Sequence, residues 1–405
     1  MKAALHGVRV LDLSRILAGP WSGQLLADLG AEVVKIERPG RGDDTRSWGP
    51  PFVDDAAAYF HGCNRGKRSV AVDISTAEGQ QLIKRLAREA DIVLENYKVG
   101  ALARYGLDYE SLSRENPGLI YCSITGFGQT GPYRQRAGYD LLIQAMGGLM
   151  SITGQPDDQP GGGPVKVGVA LTDVFTGMYA TVAVLAALRH RDATGEGQHI
   201  DLSLLDVQVA TLANQAMNYL VSGEAPRRLG NSHPNIVPYQ AFPAADGHLI
   251  LAVGNDDQFR RFCEVAGISE LADDPRYATN SARVAHRKGL VERLEAILRT
   301  RTRAEWLQAL EPAGVPCGPI NDIAEVFQDP QVQSRGLARQ YRRPDGSTVP
   351  GVANPIRYSA TPIADAPAAP QLGADTFSVL QEWLRMDADE IRQLREAGVV
   401  EARGE

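Results

Sequence analysis

The chain has 405 residues and a formal net charge of -7. With 43% hydrophobic and 22% charged residues, its composition is that of a globular protein of about two domains rather than of a disordered or fibrous chain. The negative balance excludes a broadly basic binding surface, so we expect neither nucleic acid nor a membrane as a partner.

Strands and helices alternate along the first half of the chain. The aliphatic segment VRVLDLS predicts a buried strand, and a helical pattern followed by the strand EVVKIE completes a βαβ unit. This alternation predicts an α/β fold with a doubly wound, mostly parallel, Rossmann-like sheet that binds ligands at the carboxyl ends of its strands. Predicted strands lie at 8–14, 32–37, 69–74, 91–97 and 119–128, and predicted helices at 21–31, 76–90, 108–115 and 206–222, with a final helix at 377–398.

The composition and the pattern of predicted elements change near residue 226. Before it, the apolar stretch 174–188 is interrupted by polar residues and predicts a buried helix rather than a membrane span. After it, one strand precedes several short helices rich in Arg and Glu. We therefore predict a large α/β domain at 1–225, a smaller α+β domain at 226–325 and a C-terminal segment at 326–405.

The cysteines and histidines indicate neither a disulfide framework nor a metal centre. The four cysteines form no CxxC pair, and the seven histidines form no HxH or HExxH motif. The N-terminal residues do not have the pattern of a signal or transit peptide. We therefore expect a cytoplasmic protein with reduced thiols and no metal.

The first βαβ unit has one feature of a dinucleotide site, because Glu37 ends its second strand about 20 residues after the first loop. That loop, AGPWSG, lacks the G-x-G-x-x-G spacing that lets a pyrophosphate approach the backbone, which disfavours a dehydrogenase. A G-x-S-x-G elbow and a P-loop are also missing from the sequence, so neither a serine hydrolase nor ATP use has support.

Cationic residues follow several of the predicted strands. Guanidinium groups at the carboxyl ends of a sheet suit phosphates or carboxylates, because the planar fork binds both in bidentate fashion. Surface solvation is the simpler explanation for any single arginine, whereas the set favours an anion-binding edge. The residues are Arg15, Arg38, Arg46, Arg65, Lys67, Arg68 and Arg104.

Asp173 is the only charged residue between Lys166 and Arg189. It stands before a long apolar helix, where it fits an N-cap that accepts hydrogen bonds from the first helical N–H groups. It also fits a reactive carboxylate, because a helix N-terminus stabilises an anion and Gly168 and Ala170 leave room for a substrate. The residues alone leave both interpretations open.

Seven segments together form a specific pattern: LDLSRILAGP, LADLGAEVVKIERPGRGDDTR, NRGKRSVAVDI, ENYKVGALARYGL, LIYCSITGFGQTGPY, VGVALTDVFTGMYA and GVPCGPI. In these segments, and over nearly its whole length, the chain resembles the class III CoA-transferases, the family of formyl-CoA transferase and carnitine CoA-transferase. The resemblance implies a CoA thioester as substrate, no permanently bound cofactor and an interlocked homodimer. It also implies that the C-terminal segment returns to the large domain.

Three longer segments narrow the resemblance: GDDTRSWGPPFV, YCSITGFGQTGPYRQRAGYD and IVPYQAF. They are similar to the branch of the family that acts on dicarboxylic acids. This similarity implies succinyl-CoA as the donor and glutarate, or a related C4–C6 diacid, as the acceptor. Itaconate, malate, citramalate, mesaconate and oxalate stay open as acceptors.

The resemblance also implies roles for individual residues. Asp173 corresponds to the family's catalytic aspartate, and Arg38 and Arg104 match its CoA-binding arginines. Further positions at which the family holds CoA are Ala71, Val72, Asn96, Tyr97 and Ala101.

Two positions depart from the family pattern. Where some members have Gln in the first loop, this chain has Leu17, so we expect Leu17 to line the substrate site without that polar contact. Where formyl-CoA transferase has a lysine, this chain has Ala137, so Arg134 or Arg136 takes over a CoA phosphate contact. We also place Tyr139 in the CoA site.

A dicarboxylate substrate needs a cation for its second carboxylate. Arg46, in GDDTR, is the first candidate, and His233, in GNSHPNIVPYQ, is the second. A loop-fixing role for His233 is equally compatible with its turn-rich setting.

Rival functions are compatible with parts of this pattern. The α-methylacyl-CoA racemases of the same superfamily use a histidine base where this chain has Tyr139, and tyrosine, with an ordinary pKa near 10, is a poor base at neutral pH. Transfer to formate- or oxalate-type acids or to other monocarboxylic acids is a second alternative. A non-catalytic CoA-binding protein is a third, and it would not need a free acid at position 173.

Overall fold

A computed structural model describes residues 2–402 of the chain, which form two compact units. Of the described residues, unit 1 comprises 2–148, 167–217 and 330–402, and unit 2 comprises 149–166 and 218–329. These limits differ from the predicted ones, because 149–166 and 218–225 fall in unit 2. A long-range hydrogen bond accounts for part of the difference, because Arg228 donates to the carbonyl of Ser151 (3.0 Å) and so joins 149–166 to unit 2. The local composition of the sequence does not reveal such a contact.

Fourteen strands and eighteen α-helices are numbered in chain order within the described residues. The strands are β1 Arg9–Asp12, β2 Glu32–Glu37, β3 Phe52–Val53, β4 Ala56–Ala57, β5 Lys67–Val72, β6 Ile92–Glu95, β7 Ile120–Thr125, β8 Gln198–Ser203, β9 Tyr239–Ala244, β10 Gly247–Ala252, β11 Cys317–Pro319, β12 Ala338–Arg342, β13 Thr348–Val352 and β14 Val400–Glu401. The helices are α1 Ala18–Asp28, α2 Ala58–His61, α3 Ala77–Glu89, α4 Tyr109–Leu112, α5 Asp140–Met146, α6 Leu149–Ile152, α7 Leu171–Thr194, α8 Leu204–Ala210, α9 Ala213–Ser222, α10 Asp256–Ala266, α11 Glu270–Asp273, α12 Asn280–Ala285, α13 Arg287–Leu298, α14 Arg303–Leu310, α15 Ile323–Gln328, α16 Pro330–Ser334, α17 Thr376–Leu384 and α18 Ala388–Glu396. Short 3₁₀ helices span Asp44–Ser47 and Ala103–Tyr105.

The central sheet of unit 1 has seven strands in the order β14-β5-β2-β1-β6-β7-β8. Every pair is parallel except β14 with β5, so the predicted mainly parallel α/β sheet is confirmed. The chain proceeds from β1 outward through β2 and β5, and then returns to add β6, β7 and β8 on the other side. The strand order therefore reverses between β1 and β6, and their carboxyl ends form the crevice in which such sheets bind ligands.

Two apolar clusters cover the two faces of this sheet. Successive residues of β1 point to opposite faces, so Val10 belongs to one cluster and Leu11 to the other. Helices α3 and α17 cover the face that includes Leu11, and α1 and α7 cover the face that includes Val10. The sheet is thus buried on both sides, as its nearly continuous apolar strands predict.

A close contact between α1 and α7 fixes the position of α7. A Cβ atom at Gly177 would lie 2.6 Å from the carbonyl oxygen of Ala18 and 2.9 Å from Cβ of Trp21. Only glycine allows these helices to approach so closely, because any side chain would collide with backbone. The contact sets the start of α7 against the loop that follows β1.

Helix α7 is also the one described helix that is long and apolar enough to cross a membrane by length and composition. Of its most apolar stretch, 44% is buried, with Ala180 and Val184 in the core of unit 1. Val182 and Met178 lie on its exposed side. The predicted buried helix is therefore buried along one face only.

Four charged side chains lie buried beneath the loop that follows β1. The Lys67 ammonium group is 2.8 Å from the Asp12 carboxylate, and Lys35 is 2.9 Å from Asp43; none of these side chains is exposed. Burial alone would raise the pKa of Asp12, but the Lys67 and Lys35 ammonium groups outweigh burial and lower it. Asp12 also accepts a short hydrogen bond from the Ser14 hydroxyl, so the network ties β1 to the loop.

Unit 2 contains an antiparallel three-stranded sheet in the order β11-β10-β9. Its helices pack on this sheet through a separate core that includes Phe242, Phe259, Leu294 and Trp306. Helices α10 and α14 begin at side-chain caps from Asn255 and Thr302, the residue types that favour such positions.

Candidate active site

Asp173 is the third residue of α7 and does not cap it. The N-cap position belongs to Ala170, which offers no side-chain acceptor. Instead, the Asp140 carboxylate accepts hydrogen bonds from the N–H groups of Thr172 (2.9 Å) and Asp173 (3.3 Å). No residue of 2–402 donates a hydrogen bond to the carboxylate of Asp173 itself. The structure thus argues against the helix-cap interpretation and leaves this carboxylate available for chemistry.

A cavity of about 180 Å³ in unit 1 includes Asp173 in its wall. Its walls come from the loops at the carboxyl ends of β1, β6 and β7, so it lies at the reversal of strand order described above. The predicted site residues in its lining are Leu17, Asn96, Tyr97, Arg134, Tyr139 and Asp173.

The pKa of Asp173 is raised to about 7, first by burial and second by the negative charge of Asp140. We expected the helix N-terminus to favour the anion, but Asp140 already occupies the first N–H groups of the helix. Burial and the Asp173 carboxylate raise the pKa of Tyr59 to about 12, so this phenol stays protonated at neutral pH. The carboxylate is therefore poorly solvated, which makes its ionised form a stronger nucleophile.

A second cavity of about 530 Å³ adjoins the first. Arg38, Arg104, Val72 and Ala101 line it, which brings four of the predicted CoA positions together. Arg15 and Tyr97 line both cavities, so the two share a wall. A long ligand with an anionic end beside Arg38 and Arg104 would therefore have its other end directed toward Asp173.

Two glycines determine the outline of the first cavity. A Cβ atom at Gly138 would lie 2.4 Å from the Cα of Gly126, and one at Gly126 would lie 2.5 Å from the Cα of Gly138. The backbones thus touch where β7 ends and α5 is about to begin, and both glycines line the cavity. The segment 127–137, which contains Arg134 and Arg136, is closed at its base by this contact.

The family model for CoA-transferase family III matches residues 5–376. This chain belongs to CoA-transferase family III. It is 56% identical to succinate–glutarate CoA-transferase of Agrobacterium fabrum over 94% of this chain and 96% of that protein. It is 46% identical to human succinyl-CoA:glutarate CoA-transferase over 98% and 90% of the two chains. The crystal structure of a CAIB/BAIF family protein from Brucella suis superposes with a TM-score of 0.83 at 52% identity, over 95% and 100%.

The protein is thus an enzyme, a CoA-transferase, and the sequence-based assignment to this family is confirmed. CoA-transferases act on CoA thioesters, which suits a larger cavity lined by Arg38 and Arg104 that adjoins a smaller one with Asp173 in its wall. Within residues 2–402, no three His, Cys, Asp or Glu side chains are grouped as metal ligands would be.

Arg46 is not placed for the role that we predicted in this CoA-transferase. Its guanidinium group donates to both carboxylate oxygens of Glu37, at 2.8 and 2.7 Å, and lies 3.7 Å from the centre of the Phe60 ring. Only 6% of Arg46 is exposed. Because its Nε–Nη2 edge is engaged in a buried pair with Glu37 and Nη2 also donates to the carbonyl of Pro370 (3.1 Å), the structure argues against Arg46 as the cation for a substrate carboxylate.

Two further predicted positions have other contacts in the structure. Ala71 is fully buried in β5, where its N–H donates to the Thr376 hydroxyl, and it lines neither cavity. His233, in unit 2, accepts a hydrogen bond from the N–H of Asn235 and packs edge-on against Tyr239. These contacts fit the loop-fixing role for His233, and its role toward substrate stays a prediction.

Sequence reasoning missed the importance of three residues near the site. Asp140 accepts the first N–H groups of α7 and, after burial, is the second cause of the raised pKa of Asp173, but it lies 33 residues away along the chain. Tyr59 lies close enough to Asp173 to sense its charge. Arg15 was one of several loop arginines in the sequence, and only the fold shows that it lines both cavities.

Proposed function

We propose that this CoA-transferase moves CoA from succinyl-CoA to glutarate or a related C4–C6 dicarboxylate, with Asp173 as the covalent carrier. The observation that carries the proposal is the Asp173 carboxylate, which accepts no hydrogen bond from the described chain and lies in the wall of a cavity. The names of the relatives at 56% and 46% identity support the choice of acids.

The first half of the proposed reaction loads the enzyme with CoA. A carboxylate oxygen of Asp173 attacks the thioester carbonyl, and the C–S bond breaks to give a mixed anhydride and CoA thiolate. The thiolate then attacks the aspartyl carbonyl of the anhydride, which releases succinate with the electron pair of the broken C–O bond. Asp173 is left as an aspartyl-CoA thioester, and no net energy input is needed because one thioester replaces another.

The second half transfers CoA to the acceptor acid. A carboxylate oxygen of the acceptor attacks the aspartyl thioester, and the thiolate leaves as a new anhydride forms. The thiolate attacks the acceptor carbonyl, which yields the new acyl-CoA and restores the Asp173 carboxylate. Water would hydrolyse either anhydride, so the proposed cycle requires that bound substrate keeps water away from Asp173.

CoA in this proposal spans the two cavities. Arg38 and Arg104 bind phosphate groups in the larger cavity, and Val72 and Ala101 provide close-packed, uncharged wall. Asn96 and Tyr97, at the end of β6, direct the pantetheine arm toward Asp173. Arg134 and Tyr139 contact CoA from the other side of the smaller cavity.

We also propose an interlocked homodimer in the cytoplasm. Large apolar side chains are exposed on the described chain, among them Val182 on α7 and Leu220 and Val221 on α9, with 64%, 71% and 81% of their surface accessible. Apolar groups exposed to this extent favour burial against another chain. The four cysteines are free, as expected in a reducing compartment.

An acceptor panel tests the proposed substrates. With succinyl-CoA as donor, we expect the purified enzyme to form glutaryl-CoA faster than the CoA thioesters of formate, acetate or pentanoate by at least about tenfold. Mass spectrometry of the new thioesters makes the measurement. Transfer to monocarboxylates only, or epimerisation of a 2-methylacyl-CoA without transfer, would contradict the proposal.

The pH dependence tests Asp173 as the ionised nucleophile. Because its pKa is about 7 in the folded enzyme, kcat/KM should fall as the pH drops below 7 and Asp173 takes up a proton. In Asp140→Asn the neighbouring negative charge is lost, so the acid limb should move to lower pH by roughly half a unit. Asparagine keeps an oxygen for the Thr172 N–H, so the helix start is retained.

Asp206→Asn is the matched control for Asp140→Asn, because Asp206 is an exposed acid in the first turn of α8 that lines neither cavity. Its acid limb should coincide with that of the unaltered enzyme. An Asp140→Asn profile that also coincides would show that another group titrates.

A further inference from the structure

The loop that follows β1 is fixed by buried polar groups. Asn96 holds the backbone of Arg15 from both sides: its amide donates to the Arg15 carbonyl (2.6 Å), and its carbonyl accepts from the Arg15 N–H (2.9 Å). The Lys35 ammonium group donates to the carbonyl of Ser14 (2.8 Å). Ile16 has a φ of 72°, which is strained for a β-branched residue and persists only because these contacts enforce it.

The side chain of Arg15 is far less constrained than its backbone. Its only ion-pair partner within the described chain is Asp44, with Nη1 3.4 Å from Oδ2, a long contact for a charged pair. Its Nε is buried and has no hydrogen-bond partner among the described residues. The guanidinium lies over the ring of Tyr97, 5.2 Å from its centre, at the wall that the two cavities share. A buried donor without a partner indicates a missing acceptor.

The other cations of the smaller cavity differ from Arg15. Lys98, Arg134 and Arg136 are exposed, so water screens and satisfies them. Arg136 also stacks on the Tyr133 ring, 4.6 Å from its centre. Arg15 is thus the partly buried cation of this cavity, and a charge-assisted contact is strongest where water is partly excluded.

The position of Arg15 also separates it from the charges of CoA. Arg38 and Arg104, in the larger cavity, are the proposed phosphate ligands. The part of CoA that crosses from that cavity to Asp173 is the pantetheine arm, which carries no charge. In this layout the cation at the shared wall lies beside the uncharged arm of CoA, between the proposed phosphate ligands and Asp173.

We propose that Arg15 binds the second carboxylate of the dicarboxylic acid, the one that does not react, and so determines selection of diacids over monoacids. This inference rests on the proposed function. The substrate carboxylate accepts from Nε and one Nη of Arg15 in bidentate fashion, and the weak contact with Asp44 gives way to it. Arg15 takes the role that we first predicted for Arg46.

Competition between two acceptors tests this role. The enzyme receives succinyl-CoA with a mixture of glutarate and excess pentanoate, which has the same chain length and a single carboxylate. The ratio of glutaryl-CoA to pentanoyl-CoA, corrected for concentration, compares the two kcat/KM values and does not depend on how much enzyme is folded. In Arg15→Met the ratio should fall by about 10- to 100-fold, because the charged hydrogen bonds to the second carboxylate are lost.

Arg41→Met is the matched control, because Arg41 is the other arginine beside Asp44, at 3.6 Å, and lines neither cavity. It removes the same charge and should leave the ratio unchanged within about twofold. Arg15→Lys keeps the charge without the fork, so its ratio should lie between those of Arg15→Met and the unaltered enzyme, and it serves if Arg15→Met does not fold.

Three results would overturn the role of Arg15. An unchanged ratio with a raised KM for succinyl-CoA would assign Arg15 to CoA. Equal loss of both products in a folded variant would assign it to the chemical steps. Equal ratios in Arg15→Lys and the unaltered enzyme would remove the need for the guanidinium fork. If the unaltered enzyme forms no glutaryl-CoA, the proposed function fails by itself, whatever the variants do.

Discussion

Replacing Asp173 with alanine should slow CoA transfer at least about a thousandfold, because the reaction loses the atom that carries both the acyl group and CoA. Binding residues in the two cavities remain, so the KM for the acyl-CoA should change little. The covalent intermediate gives a direct measurement. Incubation of the unaltered enzyme with succinyl-CoA should yield a CoA adduct, and hydroxylamine should convert it to a hydroxamate at Asp173, whereas Asp173→Ala should give neither.

A stability measurement separates this result from damage to the fold. The folded chain binds the Asp173 proton more tightly than the unfolded chain does, because the pKa is about 7 in the folded state against 3.8 when unperturbed. The contribution of Asp173 to stability therefore decreases as the pH rises from 4 to 7. At pH 8, Asp173→Asn should unfold at the same temperature as the unaltered enzyme or a higher one.

Asp206→Ala is the activity control for Asp173→Ala. It removes an acid from the first turn of the neighbouring helix and should keep full transfer activity. A rate of CoA transfer in Asp173→Ala equal to that of the unaltered enzyme would contradict the proposed role of Asp173.

Replacing Lys67 with methionine should lower the free energy of unfolding of unit 1 by about 3–5 kcal/mol. The Lys67 ammonium group donates to the Asp12 carboxylate (2.8 Å), the carbonyl of Pro20 (2.9 Å) and the side-chain oxygen of Asn64 (2.9 Å), and it is fully buried. Without Lys67, the buried carboxylate of Asp12 loses its ion-pair partner, which destabilises the folded state. Chemical denaturation followed by far-UV circular dichroism measures the change.

Two further variants interpret the Lys67 result. Lys288→Met removes an exposed ammonium group from α13 and should change the free energy of unfolding by no more than about 0.5 kcal/mol. Combining Lys67→Met with Asp12→Leu removes both charges and should recover part of the lost stability. If Lys67→Met cost less than about 1 kcal/mol, the ion pair would not hold the loop in place.

The sequence predicted elements well wherever local pattern determines them. The strand predicted at 32–37 is β2, Glu32–Glu37, and the helix predicted at 76–90 is α3, which begins after the Thr76 cap. In both, the aliphatic spacing and the cap lie within the element itself.

Two breaks within predicted helices were not predicted. The helix expected at 206–222 is two helices, separated where Ala213 has a positive φ of 48°, and the final helix is interrupted at Arg385, with a φ of 58°. Neither residue is a glycine, so composition gave no sign of a break.

The sequence predicted which residues form much of the site, but not their pairings or the raised pKa of Asp173. Motifs pointed to Asp173, and the loop residues Asn96 and Tyr97 do line its cavity. The start of α7 and the raised pKa depend on Asp140, and the side chain of Arg46 is occupied by Glu37; both pairings form only when distant or oppositely directed segments fold together. Sequence spacing contains no information about which of several arginines will find an internal carboxylate and which will be left facing a cavity.

The contact between Gly126 and Gly138 has a consequence for how this enzyme can diversify. Because the two backbones meet within van der Waals distance, the eleven positions between them leave and re-enter the scaffold at nearly one point. Contacts inside the segment add to this closure, since the N–H of Gln129 donates to the Asp201 carboxylate of β8 and Arg136 donates to the Met146 sulfur at the end of α5. Of this segment, Arg134, Arg136 and Ala137 line the cavity, so substitutions at these positions are expected to alter its chemistry while the glycine contact, the sheet and the position of Asp173 stay the same.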